Sequence, residues 1–187
     1  LAPETTLNDH LMNSFAKLHF DLDVKPESAL KEFAPGSFDV ITLWRVMEHL
    51  EHLNETWEML RVLLAEKGML IVAVPNCSSY DAGRYGEYWA AYDVPRHLWH
   101  FTPVTIQQLA SRHGFIMAAR HPMPFDAFYV SMLSEKHRGS SCSFLKGMYA
   151  GTLAWFSTLG RKERSSSMIY DSGKKDSAWE IKTDISR

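Results

Sequence analysis

The chain of 187 residues carries 45% hydrophobic and 22% charged side chains, enough apolar material for one packed core and too little length for two complete domains. Twenty Lys plus Arg against 22 Asp plus Glu leave a formal charge of −2, so no whole-chain electrostatic drive toward nucleic acid or anionic lipid exists. Cys77 and Cys142 are too few for a disulfide scaffold and form no CxxC, and no apolar run reaches the ~18 residues of a membrane-spanning helix. With no signal-peptide pattern in Leu1–Asp9, a cytoplasmic protein is expected.

Residues 1–35 hold a weakly helical stretch, Leu7–Leu18, and a short apolar and acidic alternation at Phe20–Val24 that reads as a strand. Pro35-Gly36-Ser37 then introduces the β-branched run Phe38–Leu43, a buried strand. Asn54 is placed to cap a helix whose Trp57, Leu60 and Leu64 share one face, with Gly68 as its left-handed stop. Met69–Val74, apolar throughout and closed by Pro75-Asn76, completes a strand–helix–strand crossover, which implies parallel strands.

Thr102 and Pro103 offer an N-cap and first helical position, Ile106, Leu109 and Ala110 a stripe, and Gly114 a stop before a further strand, Phe115–Arg120. Residues 125–160 predict two helices interrupted at Gly139-Ser140-Ser141, and Ser166–Tyr170 a last short strand. The expected organisation is one domain over residues 1–170 with a polar tail over 171–187.

In an open parallel sheet, ligands bind beyond the carboxyl ends of the strands, where the connecting loops diverge. Trp44–Leu50 and the long loop from Asn76 to His100 occupy those positions and should line one cleft. The loop mixes Tyr85, Tyr88, Trp89 and Trp99 with Asp93, Arg96, His97 and His100, as a lid over a ligand would; the alternative is ordinary aromatic packing beside a solvated ion pair. His49 with His52, and His97 with His100, have i, i+3 spacing, yet HExxH is absent and spacing marks no third ligand, so no metal is expected. Ser78 and Ser79 lack a nucleophile elbow, and no sequence feature activates the Cys77 thiol. Met148–Leu159, flanked by Lys146 and Arg161, suits core or inter-subunit packing better than a lid or a membrane-surface helix.

FDVITLWRVMEHL, then KGMLIVAVPN, then YGEYWAAYDVPRHLWHFTP resembles the C-terminal portion of class I S-adenosylmethionine-dependent methyltransferases that act on small molecules. The resemblance implies a partial Rossmann-like α/β sheet: parallel core strands, Phe38–Leu43 and Met69–Val74, with Phe115–Arg120 and Ser166–Tyr170 as an antiparallel C-terminal pair. It implies cofactor contact by Thr42, Leu43, Trp44 and Arg45, and approach of Glu48 and His49 to the reaction cleft, with Asn76 at its rim. Asp93, Arg96, His97 and His100 become candidates for substrate contact, with His97 or His100 as the proton-removing base.

The family's glycine loop and second-strand acid have no equivalent here: the chain contains no GxG, and the sequence reads as beginning after those elements. The free edge of Phe38–Leu43 should then be covered by the N-terminal segment, a removed region or a second copy of the chain. Two functions follow: methyl transfer to a small-molecule acceptor, or a non-catalytic binding module using the same crevice.

Overall fold

Phe38–Trp44 (β1) and Leu64–Pro75 (β2) pair in parallel, with Val40 opposite Met69 and Trp44 opposite Ala73. β-Branched and aromatic residues suit a pleated, half-buried surface, and each strand presents alternate side chains to the core. The protein is described by a computed structural model over residues 17–175 apart from 23 and 26, and the chain divides into two compact units, Leu1–Pro35 and Gly36–Arg187. In the first unit, residues 17–20 are helical and Glu27–Glu32 forms a 3-10 helix. No strand forms among the described residues of Phe20–Val24, and the helix expected at Leu7–Leu18 lies almost wholly outside the described residues.

In the second unit, Leu53–Leu63 (α1) crosses between the two parallel strands and buries Leu53, Trp57, Leu60 and Leu63 along one face. Two sequence expectations fail here. His52, not Asn54, stands at the N-cap, without a side-chain cap, while the Asn54 amide oxygen accepts from His113 Nε2 at 3.1 Å. Gly68 does not stop the helix, which ends at Leu63; it lies inside β2 against the Leu64 side chain and the Asp39 carbonyl. Burial of Leu63 and Leu64 carries the chain directly from helix into strand, so no left-handed turn is needed.

Pro103–Arg112 (α3) begins as its sequence predicts: Thr105 N–H donates to Thr102 Oγ1 at 3.1 Å and Thr102 N–H to Thr105 Oγ1 at 2.8 Å. It stops at Arg112, and Gly114, two residues on, turns the chain at φ +75°, a left-handed conformation that glycine adopts without a Cβ clash. Phe115–Pro122 (β3) follows, and Ser167–Lys174 (β4) pairs antiparallel with both β3 and β2. The sheet order is β1-β2-β4-β3, a parallel pair joined to an antiparallel one. β4 runs to Lys174, four residues past the boundary expected for a polar tail, because Tyr170 and Ser172 are buried in the sheet. β1 is the edge strand among the described residues, and its Val40 and Trp44 are about half exposed.

One core gathers Trp57, Leu70, Val72, Ile106, Phe115 and Tyr170 between sheet and helices, with the Trp57 and Phe115 rings edge to face at 5.3 Å. Burial pushes the Tyr170 phenol far above its ordinary pKa, so it stays neutral. A second cluster lies between Tyr80–Tyr85 (α2), the loop after it, and the two expected helices, Asp126–His137 (α4) and Ser143–Gly160 (α5). Trp89 Nε1 and Ser166 Oγ both donate to buried Asp81 Oδ2, at 2.8 and 2.6 Å, and Ala90 N–H donates to Ser134 Oγ at 2.9 Å. These bonds tie the loop to α2 and α4, and α2 to the residue that leads into β4.

α4 and α5 meet backbone to backbone. A Cβ at position 147 would lie 2.5 Å from Met132 Cα, and one at 151 would lie 2.8 Å from Phe128 Cα. Gly147→Val is therefore expected to lower stability by about 1–3 kcal/mol through overpacking. Gly83→Ala, in a helix with nothing within 4 Å of the new methyl group, should instead raise it by about 0.5–1 kcal/mol. Urea unfolding midpoints of the two variants check both signs.

Candidate functional site

Parallel pairing ends β1 and β2 at the same edge of the sheet, and the chain leaving each strand builds one side of a cavity of about 560 Å³. From β1 come Arg45, Glu48 and His49; from the long loop come Ala90, Ala91, Asp93, Arg96 and His97; α4 closes the far side with Asp126, Tyr129, Val130, Leu133 and His137. Arg45 leaves β1 at φ +56°, its N–H bonded to the Ala73 carbonyl at 3.0 Å, and this left-handed residue turns the chain into the 3-10 helix Met47–His49. Its guanidinium binds Asp126 and, at 2.9 Å, Ser167 Oγ.

Loop and turn are clamped together through the backbone. Leu98 and Trp99 N–H both donate to the Glu48 carbonyl, at 2.8 and 3.2 Å, and Trp99 Nε1 donates to the Leu50 carbonyl at 2.7 Å. This brings together imidazoles that sequence spacing does not pair: the His49 and His97 rings meet edge to face at 4.7 Å. Their i, i+3 neighbours point elsewhere, His52 to Glu55 at 3.0 Å and His100 Nε2 to the Tyr92 carbonyl at 3.0 Å.

Each meeting ring is oriented by a carbonyl, Nδ1 of His49 lying 3.0 Å from Arg96 O and Nδ1 of His97 2.8 Å from Ala91 O. A carbonyl oxygen only accepts, so Nδ1 carries the proton and Nε2 of the neutral ring is a bare acceptor. Glu48 is 1% exposed and neither of its carboxylate oxygens has a hydrogen-bond partner; Oε1 lies 4.0 Å from His97 Nε2. Glu48, His49 and His97 each place one donor atom within 4.8 Å of the others. The arrangement can accept protons or hold a cation.

The other sequence candidates fall into distinct places. Thr42 and Trp44 lie on the exposed face of β1 while Leu43 packs on the core, and none of the three lines the cavity. Asp93 and Arg96 do line it, paired to each other at 2.6 Å, whereas His100 does not. Asn76 is 1% exposed and fully engaged: its Nδ2 donates to the Glu163 and Ser165 carbonyls at 2.7 and 2.9 Å, and its Oδ1 accepts from Ser78 N–H and Oγ. It braces the chain entering β4. The α4 residues Asp126, Tyr129 and His137 had no local sequence signal; only the aromatic richness of the region hinted at them. Burial raises the Cys77 thiol above its ordinary pKa, partly offset by a backbone hydrogen bond, so the thiol stays protonated.

The sequence matches a methyltransferase domain family over residues 8–119, more than half of the chain. Among solved structures, one assigned provisionally as a sarcosine dimethylglycine methyltransferase from Galdieria sulphuraria superposes with a TM-score of 0.51 at 16% identity, over 93% of this chain and 67% of that one. The cyclase SpnF superposes with a TM-score of 0.53 at 11% identity, over 87% and 59%. A SAM-dependent methyltransferase from Archaeoglobus fulgidus gives 0.48 at 17%, over 81% and 66%. At such identities the first two carry the fold alone, and a cyclase among them shows that the fold does not dictate the reaction. The chain spans about a third to two thirds of the length of its structural neighbours. No curated protein sequence matches it.

Two measurements check these placements. Asn76→Ala should cost about 1–3 kcal/mol of stability by orphaning buried carbonyls, without moving the affinity of any ligand in the cavity. Iodoacetamide followed by mass spectrometry should label exposed Cys142 well before half-buried, protonated Cys77.

Proposed function

This chain belongs to the methyltransferase domain family, whose methyl donor is S-adenosylmethionine, and on that premise we propose that its cavity receives a small-molecule acceptor for methylation. The observation that carries the reading is the pairing of a buried, unpartnered Glu48 carboxylate with a carbonyl-oriented His97 inside the cavity. Such a pair takes a proton from an acceptor: Nε2 receives it, the Ala91 carbonyl holds the ring, and Glu48 favours the imidazolium that forms. Asp93 and Arg96 border the acceptor, and His100 supports the loop rather than the reacting atoms.

Residues 42–45 would hold the donor, which supplies an electrophilic methyl group on a cationic sulfonium. Trp44 fits that chemistry, since half of its surface is uncovered at the strand end and an aromatic face attracts a cation. No glycine in the described residues of this edge offers a backbone cradle, and the chain contains no GxG. That absence is what favours the second reading, a binding module without catalysis. No helix among the described residues is long and apolar enough to cross a membrane. The free thiols of Cys77 and Cys142 suit a cytoplasmic setting, and a second copy of the chain is a natural neighbour for β1, the edge strand among the described residues.

Titration calorimetry with S-adenosylmethionine and S-adenosylhomocysteine is expected to give saturable one-to-one binding. His97→Gln should change that affinity less than about threefold while lowering turnover of any acceptor by about 10²-fold or more. No heat with either nucleoside at millimolar concentration would leave only the binding module standing.

A further inference from the structure

The lining charges of the cavity cancel in pairs, with one exception. Arg45 is matched by Asp126 and Arg96 by Asp93, and these bonds occupy both guanidinium groups. Glu48 remains a buried carboxylate with no partner for either oxygen. Beside it, His97 Nε2 is flanked by Glu48 Oε1 at 4.0 Å and Asp93 Oδ2 at 3.9 Å. Asp93 Oδ1 is the oxygen that holds Arg96, so Oδ2 faces the imidazole. Two carboxylate oxygens thus flank one imidazole nitrogen, and neither is hydrogen bonded to it, since both gaps exceed the ~3.2 Å limit.

We propose that Glu48, His97 and Asp93 form a seat for the primary ammonium group of a small molecule, so that the acceptor class of the site is an amine. This rests on the methyltransferase reading and names its substrate chemistry. An –NH₃⁺ group offers three N–H donors to the three acceptors and supplies the one positive charge that Glu48 lacks. Distance separates this occupant from a metal ion. With hydrogen bonds of ~2.9 Å, acceptors 4.0 Å apart subtend about 90° at the nitrogen, a bend each N–H shares easily. With metal bonds of ~2.1 Å the same gap subtends about 145°, which is neither tetrahedral nor octahedral. The ammonium fits the side chains where they stand; a metal requires them to close. Ala90, Ala91, Val130 and Leu133 add an apolar stretch to a lining otherwise made of polar and charged side chains, so part of the body attached to the nitrogen is apolar.

The test titrates the full chain with phenethylamine, with its neutral counterpart 2-phenylethanol, and with Zn²⁺ alone. The amine is expected to bind at least tenfold more tightly than the alcohol. Glu48→Gln should shrink that preference to under threefold. Asp93→Asn, whose amide side chain tolerates the left-handed backbone at φ +39°, should weaken it in the same direction even if the Glu48 variant does not fold. Equal affinity for amine and alcohol, a preference untouched in both folded variants, or Zn²⁺ binding that excludes the amine would each overturn the proposal. Amine preference without any S-adenosylmethionine binding would sink the methyltransferase reading and leave the ammonium seat; nucleoside binding without amine preference would do the reverse.

Discussion

Parallel hydrogen bonding between β1 and β2 is the constraint from which the site follows. Two strands running the same way, with neighbours ~4.8 Å apart, must release their chains at a common edge. Because Trp44 stands opposite Ala73, the turn at Arg45 and the loop after Pro75 start side by side. Had the pair been antiparallel, Glu48 and His97 would have begun from opposite edges. Everything else at the site refines this meeting: the Glu48 carbonyl receives two loop N–H groups, and the Asp81 carboxylate ties Trp89 and Ser166 beneath it.

The buried polar groups of this molecule differ in how far their hydrogen bonds are complete. Asn76 uses both ends of its amide and stabilises the backbone near β4, while Asp81 satisfies two donors through Oδ2 and leaves Oδ1 without a partner. Glu48, equally buried, has neither oxygen occupied. Leaving a carboxylate unpaired in a protein interior costs more than a hydrogen bond returns, so such a group persists in a fold chiefly where something outside the chain completes it. Glu48 is the cavity-lining residue among the described residues with both side-chain oxygens left open in this way.

Elements governed by local chemistry were legible in the sequence. The β-branched runs became β1 and β2, the Thr102-Pro103 start became a capped helix, and the two helices after residue 125 formed. Asn54 and Gly68 misled because tertiary partners outbid local propensity: His113 occupied the amide, and buried leucines drove the helix straight into β2. Half of the site was legible in the same sense. Glu48, His49, Asp93, Arg96 and His97 sit on the two segments that a parallel unit throws together, whereas Asp126 reaches Arg45 across 81 residues with nothing in either neighbourhood to announce it. The histidine pairing shows the limit most clearly, since spacing suggested partners within each segment and the fold chose one from each.

The glycine contact between α4 and α5 also has evolutionary reach. Tyr129, Val130 and Leu133 face the hollow, while Phe128 and Met132 on the same helix touch bare backbone at Gly151 and Gly147. Main chain resting on main chain has almost no give, so the width of the hollow is set by two positions that never touch its contents. Drift at the solvent-facing Phe144, Leu145, Tyr149 or Leu159 leaves the chamber's dimensions alone, whereas one added methyl group at either glycine would resize it from behind. A change in the size of accepted molecules could therefore arise from residues that no inspection of the lining would select.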